Sequence, residues 1–486
     1  MLLESTQVQT IIREISADLE TPVSLYLKLR GDGASFLLES VEGGERIARY
    51  SFIGVQPKAL YILRDEEIEI QDVHGSRTLA PGASAGVTHH AGDPTRFLQN
   101  EMDRFPAVRV PNAPRFTGGL VGFLGFESVR FFEPTLKSRM KRANIPDGIY
   151  MLADTIVAFD HARRSIFLIA NVLDGNTEAA NQKLDAIAAR IEQPLPPAPK
   201  VEVKPSKVKS NHTQGTYEDM VRTAKENILA GDIFQVVLSQ RFTRETNVEP
   251  FDVYRAVRRL NPSPYMFFFD FGTVDGEPLY LCGSSPEMFV RLEGGTASLR
   301  PIAGTRPRGK DNAADDALAQ ELLADPKERA EHVMLVDLGR NDLGRVCEYG
   351  TVRVSDFFTV EKYSHVMHIV SHVEGKLKPE LTAFDLVRAA FPAGTVSGAP
   401  KVRAMEIIAD LEPDARGAYA GMVGYFGFDG AMDTCLAIRT MVGRGNIVSV
   451  QAGAGIVADS NPTAEFQETV NKASAMLRAI DAAENQ

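Results

Sequence analysis

Cysteine is scarce in this sequence, and long apolar runs are missing. The 486 residues include only three cysteines, Cys282, Cys347 and Cys435, which lie far apart. This spacing excludes a disulfide framework and a cysteine-based zinc cluster, and it is typical of a reducing compartment. No run approaches the length of a membrane span, and the start lacks the basic and apolar regions of a signal peptide. We therefore expect a cytoplasmic protein.

Positive charge is also in deficit. Lys and Arg number 53 against 64 Asp and Glu, which gives a formal net charge of −11. A nucleic-acid-binding protein would carry a basic footprint, so the charge argues against that class. Apolar residues make up 44% of the chain, enough for large cores in two or three domains, or in two intertwined ones.

Strand and helix patterns occur in blocks. We predict a short amphipathic helix near the start, a strand over 23–29, and a helix over 176–191. A Pro-rich stretch followed by a basic one, up to residue 210, predicts a linker that separates residues 1–205 from 206–486. Runs of adjacent strands with grouped helices indicate an α+β fold with large antiparallel sheets.

The most informative stretch is a predicted helix over 325–338. Asp325 suits the N-cap, Pro326 suits the first helical position, and Glu328 completes a capping-box pattern. Glu331 lies on the apolar face, where a carboxylate is costly to bury without a cation or hydrogen bonds. Either Glu331 pairs with a nearby arginine, or the two glutamates bind a cation together.

A second acidic helix is predicted to start at Asn461, with Pro462 in its first position. Glu465, Glu468 and Lys472 form a polar face that is separate from the core stripe. This face is either simply solvated or part of a site. Two glutamate pairs that face each other would offer oxygens to Mg²⁺, a hard cation that keeps several waters and a substrate oxygen.

Four of the nine histidines are close in sequence: His332, His365, His368 and His372. His365 and His368 form half of a zinc motif, but no His-Glu-x-x-His or cysteine pair completes it. General acid or base catalysis is one interpretation of these side chains, and a satisfied core histidine is the other.

Several segments are suited to an anion. Two arginines occupy the turn 304–309, a lysine ends the helix-opening segment 394–401, and glycines at 451–455 can present backbone N–H groups. Arg439 follows a strand and can hold a carboxylate through two hydrogen bonds. Together these segments predict a pocket for a small dianion beside a divalent cation.

In this order, the motifs resemble those of the chorismate-utilising enzymes, and among them the large subunits (component I) of anthranilate synthases. The similarity is dense from about residue 215 to about residue 478 and looser over 20–130. It implies a sandwich of two antiparallel sheets with helices outside. It also implies a regulatory and partner-binding domain over 1–205 and a chorismate-binding catalytic domain over 206–486.

The resemblance implies a lyase of tryptophan biosynthesis. Ammonia adds to chorismate, and the aminated intermediate loses pyruvate to give anthranilate. Mg²⁺ would bind the ring carboxylate and help the 4-hydroxyl leave, with Glu331 and Glu468 as ligands and Glu328 and Glu465 beside them. His368 and Thr395 would serve elimination and ring positioning, and Lys472 would complete the polar face. The implied substrate contacts are Gly304, Thr305, Tyr419, Arg439, Gly453, Ala454 and Gly455.

Two positions distinguish reactions within this group. Aminodeoxychorismate synthases often carry a nucleophilic lysine where this chain has Ala303, so here ammonia itself would add. Isochorismate and salicylate synthases carry a water-activating lysine where this chain has Gln235, and a neutral amide cannot act as that base. The alternatives are an aminodeoxychorismate synthase component and a non-catalytic tryptophan-binding regulator on the same fold.

The resemblance also implies feedback inhibition and a partner. Glu39, Ser40, Pro264, Tyr265 and Met266 match the tryptophan site of the family. Because we find no glutaminase triad in the chain, a separate glutamine amidotransferase small subunit would supply ammonia within a hetero-oligomer. Neither nucleic acid nor a membrane is an expected partner.

Overall fold

The structure is a computed structural model that describes residues 8–31, 33–40, 49–72, 87–89, 93–197, 206–363 and 366–485. Residues 198–205 of the predicted linker therefore lie outside the described residues. The elements before it are β1 (Gln9–Ser16), α1 (Pro22–Leu29), β2 (Ser35–Glu39), β3 (Tyr50–Val55), β4 (Ala59–Arg64), β5 (Glu67–Asp72), β6 (Val87–His89), α2 (Pro94–Asp103), β7 (Gly119–Leu124), β8 (Gly148–Ala153), β9 (Thr155–Asp160), β10 (Ser165–Val172) and α3 (Thr177–Ile191).

The second half of the chain alternates longer strands with the helices that surround the site. Its elements are β11 (Lys209–Ser210), α4 (Gln214–Leu229), β12 (Gln235–Glu245), α5 (Pro250–Leu260), β13 (Tyr265–Val274), β14 (Glu277–Ser285), β15 (Met288–Glu293), β16 (Thr296–Leu299), β17 (Ile302–Pro307), α6 (Asn312–Ala324), α7 (Pro326–Gly344), β18 (Arg353–Lys362), β19 (Val366–Lys376), α8 (Ala383–Ala390), β20 (Gly398–Ala399), α9 (Lys401–Leu411), β21 (Met422–Gly427), β22 (Met432–Leu436), β23 (Thr440–Arg444), β24 (Ile447–Ile456) and α10 (Pro462–Glu484).

Within the described residues, the strands form two 12-stranded sheets, and both halves of the chain contribute to each. In the first sheet, β2 pairs antiparallel with β13, and Glu39 lies opposite Met266. In the second sheet, β21 pairs antiparallel with β7. The two halves divided at residue 205 are therefore joined through both sheets.

The two sheets face each other across an apolar interior. Phe36, Phe267 and Phe269 from the first sheet meet Val121 and Phe123 from the second, all almost fully buried. Helices α1, α3, α5 and α10 cover the outer face of the first sheet. The predicted α+β sandwich with helices outside is confirmed.

The predictions for the first 30 residues are wrong. The expected first helix is strand β1, which pairs along its whole length with β10. The expected strand over 23–29 is helix α1. Thr21 and Ser24 form a capping box there, and Pro22 occupies the first turn. Strand pairing at the sheet edge overrides the helix-like spacing of the first segment, and the cap fixes a helix in the second.

Among the described residues, no helix has both the length and the hydropathy needed to cross a bilayer. Helix α10 packs against β24, α4 and α5, and α7 packs against β17 and β19. These contacts hold the amino ends of the two acidic helices at one end of strands β12 and β24.

Candidate active site

A cavity of about 580 Å³ lies between the amino ends of α7 and α10, with β12, β17 and β24 as further walls. Its lining includes five carboxylates and three cationic side chains, so the walls carry an excess of negative charge. The charged lining residues are Glu287, Lys327, Glu328, Glu331, Arg439, Glu465, Glu468 and Lys472.

Helix α7 brings the first acid pair to this cavity. Asp325 caps the helix by accepting the backbone N–H groups of Lys327 at 2.9 Å and Glu328 at 3.3 Å. The Glu328 carboxylate does not close the predicted capping box. It accepts instead from Arg306 Nη1 at 3.3 Å, because that guanidinium lies beside the helix start. Glu328 is thus held both at its backbone, by Asp325, and at its carboxylate, by Arg306.

Helix α10 brings the second acid pair. The Asn461 side chain accepts from the backbone N–H of Ala464 at 3.1 Å, which caps the helix where the sequence predicts its start. Glu468 pairs with Lys472 at 2.6 Å, and Lys472 Nζ also donates to the carbonyl of Gly453 at 3.1 Å. Lys472 thus ties the helix to β24.

The two acid pairs influence each other. Burial raises the pKa of Glu331, and the carboxylates of Glu328 and Glu468 raise it further. Burial raises the pKa of Glu465, and Glu468 adds to the effect. Carboxylates that repel each other across a cavity are stabilised by a cation. No three described His, Cys, Asp or Glu side chains form a close metal cluster, but Mg²⁺ needs only one or two carboxylates beside substrate and water.

The opposite wall is suited to a carboxylate. Arg439 lies at a positive φ of 51° and donates from Nη1 to the carbonyl of Lys472 at 2.6 Å. A Cβ atom at Gly453 would lie 2.6 Å from the Tyr419 hydroxyl, so only glycine leaves room there. Tyr419, Arg439 and the β24 backbone thus face the two acid pairs across the cavity.

Strand alternation divides the three predicted β24 residues. Gly453 and Gly455 line the cavity, whereas the Ala454 side chain is buried in the apolar core cluster on the other face. Side chains along a strand point alternately to its two faces, so Ala454 offers the cavity only its backbone. A Cβ atom at Gly455 would lie 2.7 Å from Gln235 Nε2, which also lines the cavity.

His368 is not among the lining residues, but its ring contacts Gly304 and Thr305 of β17, which are. Its Nδ1 is 2.8 Å from the carbonyl oxygen of Gly304 and 3.2 Å from Thr305 Oγ1. Burial lowers the pKa of His368. A neutral ring that donates from Nδ1 to the carbonyl keeps Nε2 as its basic atom. His365, the other half of the possible zinc motif, lies outside the described residues.

Two of the expected anion-binding groups are already engaged by carboxylates. Lys401 Nζ is buried and lies 3.0 Å from both carboxylate oxygens of Asp342. Arg308 forms an ion pair with Asp315 at 2.5 Å. The prediction that Lys401 and the arginines of 304–309 bind a ligand is therefore wrong, because carboxylates of the protein already pair with these side chains. Thr395 remains in the cavity lining.

Glu287, which the sequence patterns do not predict as a site residue, lies in the cavity lining between β14 and β15. Burial raises the pKa of Glu287 to about 7, although the nearby Thr395 hydroxyl and Lys472 ammonium oppose the rise. Near neutral pH this carboxyl can keep its proton and donate it. Pro286 before it signals a turn in an apolar segment, the one local hint that the sequence contains.

Two buried atoms in the lining lack a protein partner. Among the described residues, Gln235 Oε1 makes no hydrogen bond, and Thr395 Oγ1 has no partner with good hydrogen-bond geometry, although the Glu287 carboxyl lies nearby. Buried polar atoms are normally satisfied, and each orphan costs about 1–3 kcal/mol. Both atoms therefore indicate where a bound molecule supplies the missing bonds.

A second, smaller cavity of about 40 Å³ lies between the two sheets. Ser40, Pro264, Tyr265 and Met266 line it together, and the Ser40 hydroxyl is buried without a partner among the described residues. The Glu39 carboxylate points elsewhere. It accepts from Tyr254 and Arg258 of α5, so Glu39 can offer this cavity only its backbone.

The chain matches a protein-family model over most of its length. Residues 33–478 match the family model described as chorismate binding enzyme. The chain belongs to the chorismate-binding enzymes. Solved structures of similar chains show the same architecture. A menaquinone-specific isochorismate synthase from Escherichia coli is 20% identical, with a TM-score of 0.72 over 97% of this chain and 94% of that chain, which supports the fold alone.

More similar relatives share one description. The anthranilate synthase component 1 of Acinetobacter calcoaceticus is 43% identical over 98% of this chain and 95% of that protein. The one from Neisseria meningitidis serogroup A is 46% identical over 96% and 94%. The crystal structure of anthranilate synthase component I from Streptococcus pneumoniae is 36% identical, with a TM-score of 0.78 over 95% of this chain and 98% of that one.

Proposed function

We propose that this enzyme is the synthase subunit of an anthranilate synthase and converts chorismate and ammonia to anthranilate and pyruvate. The observation that carries the proposal is the large cavity itself. Glu328 and Glu331 of α7 face Glu465 and Glu468 of α10, where Lys472 pairs with Glu468. A further wall presents Arg439 and glycine backbone. A dianion that bears a carboxylate fits between them only with a cation.

The cation we propose is Mg²⁺, with Glu331 and Glu468 as its protein ligands and Glu328 and Glu465 beside them. The raised pKa values of Glu331 and Glu465 support this choice, because the carboxylates repel one another without a cation. When bound, Mg²⁺ would neutralise the ring carboxylate and leave its remaining positions to water.

Two protein groups carry the proton transfers. Glu287, with a pKa of about 7, donates a proton to the 4-hydroxyl, which leaves as water while ammonia adds to the ring, and the new ammonium returns one proton to Glu287. His368 then removes the ring proton through Nε2, while its Nδ1–H stays bound to the Gly304 carbonyl. The enolpyruvyl group departs with the proton that His368 took up and becomes pyruvate, and the ring becomes aromatic. The roles of Glu287 and His368 are therefore those of an acid and a base.

Gln235 favours the aminating reaction over hydration. A lysine at this position would be a base for water, but the amide offers only hydrogen bonds, and its free Oε1 can accept one from ammonia or substrate. Ala303 offers no nucleophile either. An aminodeoxychorismate synthase component is thus the less favoured alternative.

We further propose that L-tryptophan inhibits the enzyme from the second cavity. The orphan Ser40 hydroxyl can bond the amino-acid head group, and Pro264 to Met266 supply backbone and apolar surface. Because strands β2 and β13 both line this cavity, its occupant would touch both halves of the chain. The ammonia source would be a separate glutaminase subunit in the cytoplasm, as the word component in the relatives' names suggests.

One assay tests the proposal: chorismate, MgCl₂ and an ammonium salt at alkaline pH, followed by blue anthranilate fluorescence and pyruvate release. We expect both products in equal amounts. Aminodeoxychorismate without fluorescence would support the alternative enzyme. No turnover, with tryptophan binding retained, would support a non-catalytic regulator and contradict the proposal.

A further inference from the structure

Arg416 is a buried arginine outside the cavity lining. Its side chain is 1% exposed and lies in the loop between α9 and β21. The guanidinium pairs with Glu412, from Nε to Oε2 at 2.9 Å and from Nη2 to Oε1 at 2.6 Å. This buried ion pair neutralises the charge, but it uses only part of the guanidinium's hydrogen-bonding capacity.

The other donors of Arg416 reach two walls of the substrate cavity. Nη1 donates to the carbonyl of Val396 at 2.8 Å, and Nη2 donates to the carbonyl of Val237 at 2.6 Å. Val237 and Val396 both line the cavity, and Val396 follows Thr395 in the chain. One planar group therefore sets the distance between strand β12 and the turn that carries Thr395.

A third wall of the cavity, at Tyr419, packs against the same guanidinium. The Arg416 Cζ lies 5.5 Å from the ring centroid of Tyr419, which also lines the cavity, and 4.6 Å from that of Phe126. The Tyr419 hydroxyl is next to Gly453, where the substrate carboxylate is expected. A shift of Arg416 would thus move the Tyr419 ring as well.

The surroundings of Arg416 hold it in place. Glu412 Oε1 also accepts from the backbone N–H and the hydroxyl of Ser239, both at 2.8 Å. The Glu127 carboxylate accepts from the backbone N–H of Arg416 at 2.6 Å and of Gly417 at 2.9 Å. The loop and the side chain are therefore fixed independently of each other.

We propose that Arg416 is a positioning residue that sets the spacing of three cavity walls, Val237, Val396 and Tyr419, and thereby the affinity for chorismate. A lysine cannot replace it, because an ammonium has no rigid fork to reach Glu412 and two carbonyls in one plane. The substrate identity in this inference rests on the proposed function.

The test is Arg416→Lys with Arg244→Lys as matched control. Arg244 is also buried, with its side chain 7% exposed. It lies on β12 and pairs with Asp481 and Glu484, but it does not line the cavity. We expect Arg416→Lys to raise the KM for chorismate about 10–100-fold and to leave the KM for ammonium within about twofold. Arg244→Lys should lower the unfolding temperature and leave both KM values unchanged.

Equal changes in both variants, or a chorismate KM within about threefold of wild type in Arg416→Lys, would overturn the inference. If Arg416→Lys does not fold, the double variant Arg416→Gln, Glu412→Gln removes the charges together, and the same limits apply to it. Calorimetric binding of chorismate without ammonia separates the two proposals. If wild type binds chorismate in this measurement but forms no anthranilate in the ammonium assay, the proposed function is contradicted, while weaker binding by the variant would still support the positioning role.

Discussion

The two cavities differ in size and in the side chains that line them. The large one has a volume of about 580 Å³ and is lined by five carboxylates that face three cations. The small one, of about 40 Å³, is lined mainly by apolar and aromatic side chains between the sheets. In the large cavity Glu328 pairs with Arg306 and Glu468 with Lys472, whereas Glu331 and Glu465 form no ion pair with another described residue. The excess of negative charge supports the proposed cation site. The small cavity suits a small ligand, which would contact both halves of the chain.

The charged groups at the small cavity are already paired. Asp433 accepts from the Tyr265 hydroxyl at 3.1 Å and pairs with Arg291 at 2.9 Å. In the large cavity, by contrast, burial and like charge raise the pKa of Glu331. Ionisable groups with shifted pKa values and unpaired charges are typical of catalytic sites, whereas groups whose charges are paired are typical of structural and binding sites. The following predictions test this contrast.

The largest effect should come from His368→Ala. Losing the proton acceptor should lower kcat by about 10²–10⁴-fold with little change in the KM for chorismate. His372→Ala is the control, because His372 lies on the same strand and pairs with Glu374 instead of meeting β17. Near-wild-type turnover of a folded His368→Ala protein would remove this residue from the mechanism.

Glu331→Gln should weaken Mg²⁺ binding by about 10–100-fold or more, because one of two carboxylate ligands is lost. The activity should recover partly at high MgCl₂. Asp337→Asn changes an exposed carboxylate on the same helix and should leave the Mg²⁺ dependence unchanged. An Mg²⁺ titration of activity measures both variants, and identical curves would contradict the metal role of Glu331.

The pH dependence tests Glu287. Its pKa of about 7 means that the proton-donating form is lost as the pH rises. At a fixed concentration of free ammonia, kcat/KM for chorismate should fall about tenfold per unit well above that pKa. Glu287→Gln should be slower and should lack this limb. A wild-type profile that stays flat from pH 6 to 9 would argue against Glu287 as the acid.

Ser40→Ala should have the smallest effect and should act only on inhibition. One lost hydrogen bond corresponds to about 0.5–1.5 kcal/mol, so the tryptophan concentration for half-inhibition should rise about 2–10-fold. Ser35→Ala on the same strand is the control, since Ser35 bonds Tyr26 and does not line the cavity. Unchanged inhibition in Ser40→Ala would show that tryptophan binds elsewhere.

Local signals explain which parts of the site the sequence could predict. Helices α7 and α10 were predicted at their correct starts because Asp325 and Asn461 are caps and a proline follows each. Glu287 was missed because its burial depends on strands and a turn that are distant in the chain. Lys401 was misplaced for a similar reason, since its partner Asp342 lies 59 residues earlier. Packing between distant segments decides which charges stay free for a ligand.

In the mechanism we propose, the two acid pairs form one Mg²⁺ site that also binds the substrate carboxylate. The most direct test is calorimetric binding of chorismate without ammonia, with and without Mg²⁺, to wild type and to Glu331→Gln. We expect Mg²⁺ to strengthen chorismate binding, and chorismate to strengthen Mg²⁺ binding by the same factor. This coupling should be lost in Glu331→Gln. Independent binding of the two by the wild-type protein would contradict this mechanism.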